Sequence, residues 1–204
     1  MNIAIITKGK MSELAYKFFS DLKIKNDFLG DKGLPKELVP ENISFYNEED
    51  NFQPTDEMIF ISTGDMERRR RIFPKYSYTK YLNIIQSSNY PTYFGICNFV
   101  FPDVYFGDFT HLGDNNIISA GTIISHHCKI GSGNLLGPGC LLSGSVIIGN
   151  NCTIGSGVIF EPGVKIADNM TIPSGAIIVG NMDKPILAKR EGFIFNGQYF
   201  ISKR

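Results

Sequence analysis

The chain has 204 residues, 43% of them hydrophobic, and its 20 basic and 20 acidic residues leave a formal net charge of zero. That length allows one or two domains with a sizeable core, and the balanced charge implies no broad surface for drawing in nucleic acid. No apolar run reaches the ~18 residues of a membrane span, and Met1-Asn2-Ile3-Ala4-Ile5-Ile6 lacks a signal peptide's basic start and cleavage region. A soluble, cytoplasmic protein without a transmembrane segment is expected.

In chain order, residues 2–6 read as a short buried strand. A loop follows, then a helix from about Ser12 to Leu22, with Ser12 as N-cap and Leu14, Ala15, Phe18, Phe19 and Leu22 on one apolar face. Ile43-Ser44-Phe45-Tyr46 and Met58-Ile59-Phe60-Ile61-Ser62 add strands, and Asp65 leads into a short helix through Arg71. This order predicts a small α/β domain with a parallel sheet over residues 1–82. Ligands approach such sheets at the strand C-terminal ends, here Thr7-Lys8-Gly9-Lys10 and Ser62-Thr63-Gly64-Asp65. The first loop is not a GxGxxG fingerprint, so a dinucleotide site is not expected. Lys8, Lys10 and Ser12 can be read as phosphate contacts or as ordinary solvated loop residues. The run Arg68-Arg69-Arg70-Arg71 reads as a helix surface or subunit contact rather than a phosphate site.

From Val100 onward a six-residue beat runs without a slip. Val100, Phe106, Leu112, Ile118, Ile124, Ile130, Leu136, Leu142, Ile148, Ile154, Phe160, Ile166, Ile172 and Ile178 are all large and apolar. Chance would fill one phase this way in roughly one case in 100,000, so the beat is structural. A period of six fits neither the ~3.6 of a helix nor the ~2 of a plain strand. It fits a short strand plus a corner, with one side chain per unit pointing into a common interior. The following position is often glycine, as at Gly107, Gly113, Gly131, Gly137, Gly149 and Gly155, where it is read as relieving crowding at a backbone turn. Four residues after the beat come Thr122, Cys128, Cys140, Val146, Cys152, Val158, Val164 and Ala176, small or branched enough to fill a corner. Three units make one triangular coil, and coils stack about 4.8 Å apart through parallel ladders. Three of the four cysteines share one position of the repeat. Buried thiols, rather than disulfides or a zinc cluster, are the expected reading, and no metal site is assigned.

This pattern resembles the hexapeptide-repeat acyltransferases. With the small α/β domain in front, it is similar to the sialic-acid and bacillosamine class of nucleotide-sugar acetyltransferases. The resemblance implies a mainly β fold: a left-handed parallel β-helix over 83–185, preceded by a small α/β Rossmann-like domain over 1–82 and followed by a C-terminal cap or tail over 186–204. It also implies acetyl-CoA as acyl donor, a nucleotide-sugar substrate, a role in lipopolysaccharide or O-antigen assembly, and a homotrimer with active sites between subunits. Two departures concern the sugar. The family's glycine-rich first loop is eroded here, and its Ile-His-Pro-Ser-like segment is replaced by Ile84-Ile85-Gln86-Ser87-Ser88.

The chain has three histidines, His111, His126 and His127. The last two fall between the core positions Ile124 and Ile130, and so at the outer surface of a coil. Two adjacent imidazoles are costly to bury without partners, so an exposed groove is expected. Transfer of an acyl group from a thioester to an amine or hydroxyl needs a base near neutrality, which imidazole supplies without an acyl-enzyme. By the resemblance, His126 matches the catalytic general base. His127 stands where the family has the carboxylate that orients the base, and either His127 itself or an acid from another coil or subunit, such as Asp108 or Glu161, takes that role. Leu135 replaces a second family histidine. Gly144, one coil beyond His126, matches the amide that polarises the thioester carbonyl, and Ser119 matches a substrate-contacting Asn. Donor contacts are expected at Ser119, Gly144, Gly155, Gly163, Ala176 and Lys184, and nucleotide-sugar contacts at Lys8, Gly9, Lys10, Ser62, Thr63 and Gly64. His111 is read as a turn or trimer-contact residue. The leading reading is an N-acetyltransferase. An O-acetyltransferase acting on sialic acid or another sugar is the nearest rival, and a non-catalytic nucleotide-sugar-binding scaffold is a third reading.

Overall fold

The structure, a computed structural model, describes residues 3–7, 43–46, 58–76, 81–183 and 201–203. The chain divides into two compact units, residues 1–83 and 84–204. The helix expected over Ser12–Leu22 lies outside the described residues.

In the first unit, strands β1 (Ile3–Thr7), β2 (Ile43–Tyr46) and β3 (Met58–Ser62) form a parallel sheet of order β2-β1-β3. Ile3 pairs with both Ile43 and Met58. The apolar runs are long enough for a central strand flanked on both edges, and Ile5, Ile6, Ile59, Phe60 and Ile61 are buried. Helix α1 (Met66–Ile72) starts at Asp65, whose carboxylate accepts from the Arg68 N–H at 3.1 Å. That start fixes the helix phase, so Met66, Arg69 and Ile72 share the buried side. The arginine run is therefore not simply a surface. Arg69 is fully buried and its guanidinium donates to the Ile61 carbonyl of β3, while Arg71 faces outward. The apolar stem packs inside and the charged end takes up a carbonyl.

The second unit is a parallel β-solenoid of about five turns. Face one stacks the strands Ile84–Ile85, Phe99–Val100, Ile117–Ile118, Leu135–Leu136, Thr153–Ile154 and Thr171–Ile172. Face two stacks Tyr105–Phe106, Ile123–Ile124, Leu141–Leu142, Ile159–Phe160 and Ala176–Ile178, and Ile201–Lys203 pairs antiparallel with the last of these. Face three stacks Tyr93–Phe94, His111–Leu112, Lys129–Ile130, Ile147–Ile148 and Lys165–Ile166. Registers advance by one full coil, as in Ile123 with Leu141 and Leu141 with Ile159. At the start Ile84 pairs with Phe99 rather than with Pro102, so the first coil is short and skips a face-two strand.

Every residue of the beat is buried, none more than 4% exposed. Burial of each such side chain contributes about 1.5–3 kcal/mol. The glycines just after the beat have a different cause from the one expected. Their φ angles are not positive, but a Cβ at Gly107 would lie 2.6 Å from the backbone nitrogen of His126, and one at Gly137 equally close to that of Ser156. Close approach of the next coil requires them. The turn itself occurs two residues later, where φ is positive in every unit from Cys97 to Gly175, with six glycines and eight other residues among the described ones.

The corner-filling position also holds buried asparagines. Asn98, Asn116 and Asn134 are buried there in a column. Each side-chain oxygen accepts from the backbone N–H of the next coil: Asn98 from Asn116 at 2.9 Å, Asn116 from Asn134 at 2.8 Å, and Asn134 from Cys152 at 2.7 Å. The eighteen-residue spacing of the asparagines was the available signal. Replacing Asn116 with Ala strands the buried Asn134 N–H and is expected to cost about 1–3 kcal/mol, read from the denaturant midpoint.

Candidate active site

Cys128, Cys140 and Cys152 are free, buried and set at three different corners of the triangle, so they do not converge on one point. Burial pushes the Cys128 and Cys140 thiols up, away from the reactive thiolate. Their sulfurs donate to backbone carbonyls, Cys128 to Ser143 and Cys140 to Gly155.

His126 and His127 occupy the corner between the face-two strand Ile123–Ile124 and the face-three strand Lys129–Ile130, and both are exposed. Along the solenoid this corner stacks Asp108-Phe109, His126-His127, Gly144-Ser145 and Pro162-Gly163. The backbone locks the stack together. His127 N–H donates to the Asp108 carbonyl at 2.8 Å, Ser145 N–H to the His126 carbonyl at 2.9 Å, and Gly163 N–H to the Gly144 carbonyl at 2.9 Å. His127 takes the positive-φ turn position, at 60°. That conformation turns its ring beside its neighbour: the two Nδ1 atoms lie 3.0 Å apart and the rings meet edge-on at 85°. The ring of Phe109, one coil earlier, packs against His127 with centroids 4.8 Å apart.

Gly144 sits directly over the His126 ring. A Cβ at 144 would lie 2.6 Å from Cε1 and 2.8 Å from Nε2 of His126. Only glycine leaves the ring this room. Among the described residues the Gly144 N–H donates to nothing. The next corner shows the contrast: there the Asp114 N–H is capped by Ser132, the Ser132 N–H by Asn150, and the Asn150 N–H by Asp168. The histidine corner thus holds an exposed imidazole one coil from a backbone N–H that has no acceptor among the described residues.

Neither carboxylate suggested for orienting His126 does so within this chain. Asp108 and Glu161 are exposed, and among the described residues no carboxylate hydrogen-bonds either imidazole. Asp108 contributes its backbone carbonyl instead. Gly163 joins the His126 corner two coils on, with φ at 73° and open space where a Cβ would be. Ser119 and Gly155 fall at the corner between faces one and two, and Ala176 opens the last face-two strand beyond that corner, so a single chain does not bring them to His126. Leu135 lies half-buried on face one. His111 is a strand residue on face three rather than a turn, with its ring 5.8 Å from that of Tyr93. In the first unit Ser62 and Thr63 are buried, and Thr63 Oγ1 accepts from the Asp65 N–H at 3.2 Å, which commits it to shaping the turn; Gly64 is exposed. Lys8, Gly9, Lys10 and Lys184 lie outside the described residues.

The geometry is that of an exposed pair of imidazoles one coil from a glycine, on a hexad solenoid. Residues 109–144 and 127–161 match the bacterial transferase hexapeptide (six repeats) family, so this stretch of the chain is a hexapeptide repeat of that family. No curated protein is similar enough to match the chain. Among solved structures, PerB from Caulobacter crescentus, in complex with CoA and GDP-perosamine, is 19% identical with a TM-score of 0.71, covering 98% of this chain and 97% of its own. A histidine-to-alanine mutant of GDP-perosamine N-acetyl transferase from the same organism, again with both ligands, is 18% identical with a TM-score of 0.70 and covers 90% of each chain. The acetyltransferase domain of PglB from Neisseria gonorrhoeae is 19% identical with a TM-score of 0.70, covering 89% and 92%. The likeness runs over nearly the whole length and concerns the fold. No helix among the described residues is long and apolar enough to cross a membrane.

Proposed function

We propose that the chain is an acetyl-CoA-dependent N-acetyltransferase acting on the amino group of a nucleotide-linked amino-deoxy sugar. The observation that carries this reading is the His126 imidazole, with Nε2 outside the histidine pair, lying against Gly144 and its undonated amide. The neighbours that bind CoA and GDP-perosamine support the choice of donor and acceptor.

The thioester supplies an activated acyl group whose leaving group is a thiolate. Gly144 N–H is assigned the acyl oxygen as its acceptor, where negative charge grows during transfer. His126 Nε2 takes the acceptor's proton as the carbon–nitrogen bond forms, and returns it to sulfur as the carbon–sulfur bond breaks. Atoms and charge balance without an acyl-enzyme. The glycine-lined approach past Gly163 gives the donor room along the same corner. The first unit is assigned the nucleotide-sugar, with Lys8, Gly9, Lys10 and the exposed Gly64 as its contacts, in a Rossmann-like arrangement ahead of a left-handed solenoid. The setting assigned is cytoplasmic assembly of a bacterial surface glycan, lipopolysaccharide or O-antigen.

A homotrimer with active sites between subunits belongs to the same proposal. Face two leads into the histidine corner and turns Tyr105, Ile123, Leu141, Ile159 and Ile177 outward, all apolar, with Tyr105 54% and Ile123 46% exposed. A neighbouring subunit seated there would cover this stripe and bring its own Ser119, Gly155 and Ala176 within range of the corner. Ile123→Asp is expected to shift the mass in sedimentation from trimer to monomer and to abolish transfer, while the monomer stays folded by circular dichroism. Turnover of acetyl-CoA against UDP-, GDP- and dTDP-linked 4-amino sugars and free sialic acid, with product mass and linkage determined, tests the main reading. An N-acetyl sugar nucleotide supports it, and an O-acetyl product or none across the panel overturns it.

A further inference from the structure

We propose that His127 is a positioning residue, which accepts a hydrogen bond from Nδ1–H of His126 and so holds His126 in the tautomer whose Nε2 carries a lone pair. The 3.0 Å contact between the two Nδ1 atoms needs one donor and one acceptor. Two neutral tautomer pairs satisfy it, and only one leaves a basic nitrogen on His126.

The general-base role proposed for His126 selects between them. The Asp108, His126 and Gly144 carbonyls are each engaged by the N–H of the coil above, while the Gly144 N–H is not engaged. Among the described residues His126 Nε2 makes no hydrogen bond, so it is free to take an acceptor's proton only in the tautomer that leaves it a lone pair. If Nε2 is bare, the ring proton of neutral His126 sits on Nδ1, and His127 must accept it. His127 then carries its own proton on Nε2, which solvent satisfies because the ring is exposed.

The arrangement is held from two directions. His127 takes the positive-φ turn conformation, and the Phe109 ring packs against its imidazole. The role is chemically distinct from that of a carboxylate. When His126 gains a proton at Nε2, the Nδ1–H···Nδ1 bond survives and spreads the positive charge over two rings. A second proton, on His127, removes the acceptor and breaks the contact.

The turn position also supplies clean variants. Six other corners have glycine there and tolerate it, so His127→Gly removes the ring without backbone strain. Asp103 and Asn115, Asn151 and Asn169 adopt the same positive φ, and an Asp or Asn oxygen stands the same number of bonds from the backbone as Nδ1. His127→Asn and His127→Asp therefore restore an acceptor without the imidazole.

The inference about catalysis rests on the proposed function, but its test does not. In the full-length protein labelled with 15N-histidine, with His111→Gln to clear the third ring, long-range proton–nitrogen spectra report each tautomer directly. The expected result is a protonated Nδ1 and bare Nε2 on His126, the reverse on His127, and conversion of His126 to the Nε2–H form in His127→Gly. His126 protonated on Nε2 in the parent protein, or unchanged in His127→Gly, overturns the proposal whatever the activity. In the transfer assay His127→Gly is expected to lower kcat by about tenfold or more, with acceptor KM little changed, and His127→Asn or His127→Asp to recover most of it. Equal losses in the glycine and asparagine variants overturn the positioning role even if transfer itself is confirmed.

Discussion

His126→Ala is expected to lower kcat for acetyl transfer by about 10²–10⁴-fold while leaving the fold intact. The ring is exposed and contributes nothing to the buried stack, whose members are the beat residues on either side, Ile124 and Ile130. Its backbone carbonyl still accepts from Ser145 in the variant. Loss of activity with an unchanged denaturant midpoint therefore isolates the imidazole. A near-normal rate would remove His126 from the chemistry. Because an amine is a better nucleophile than a hydroxyl, the loss should be larger for any hydroxyl acceptor than for the amino sugar.

Gly144→Ala is the second large effect, and it follows from a distance. Its added methyl would sit 2.6 Å from His126 Cε1 and 2.8 Å from Nε2, well inside van der Waals contact. Gly144 is not at a positive-φ position, so alanine brings no backbone strain there. The exposed ring yields, and with it the relation between base and amide. A fall in kcat of about a hundredfold or more is expected, with little change in thermal midpoint. Gly139→Ala is the matched control. At 69° its φ penalises alanine, but nothing lies within 4 Å of the new Cβ. That variant should lose about 1–2 kcal/mol of stability and keep its activity. If the two variants behaved alike, the contact over His126 would have no functional meaning.

The solenoid was legible because its ladder period is fixed. Each coil must return a side chain to the same interior point, so the beat from Val100 to Ile178 appears in the sequence as an unbroken phase. Counting along that phase also put His126 and Gly144 at the same corner, one coil apart, as the structure has them. Local pattern could not assign causes to individual glycines. Gly107 and Gly137 answer to the neighbouring coil's backbone, a contact that sequence neighbours do not reveal, while turning is left to residues such as His127 and Asn115. Asn98, Asn116 and Asn134 were missed because asparagine is ordinarily an exposed residue, and only the coil geometry pairs each oxygen with a buried N–H. Arg69 was misread for the same reason. Its burial depends on the helix phase set by Asp65, which composition does not carry. At the site, the pairing of His126 with His127 needed the positive φ at the turn before either ring could be placed.

The most direct measurement is a structure of the protein with CoA and an amino-sugar nucleotide bound. The donor sulfur and the acceptor nitrogen are expected to meet at the His126 corner, with the acceptor nitrogen within hydrogen-bond reach of His126 Nε2, about 3 Å, and the Gly144 N–H aimed at the acyl position. Ligands that meet away from His126, or an acceptor that turns a hydroxyl rather than its amine toward Nε2, would contradict it.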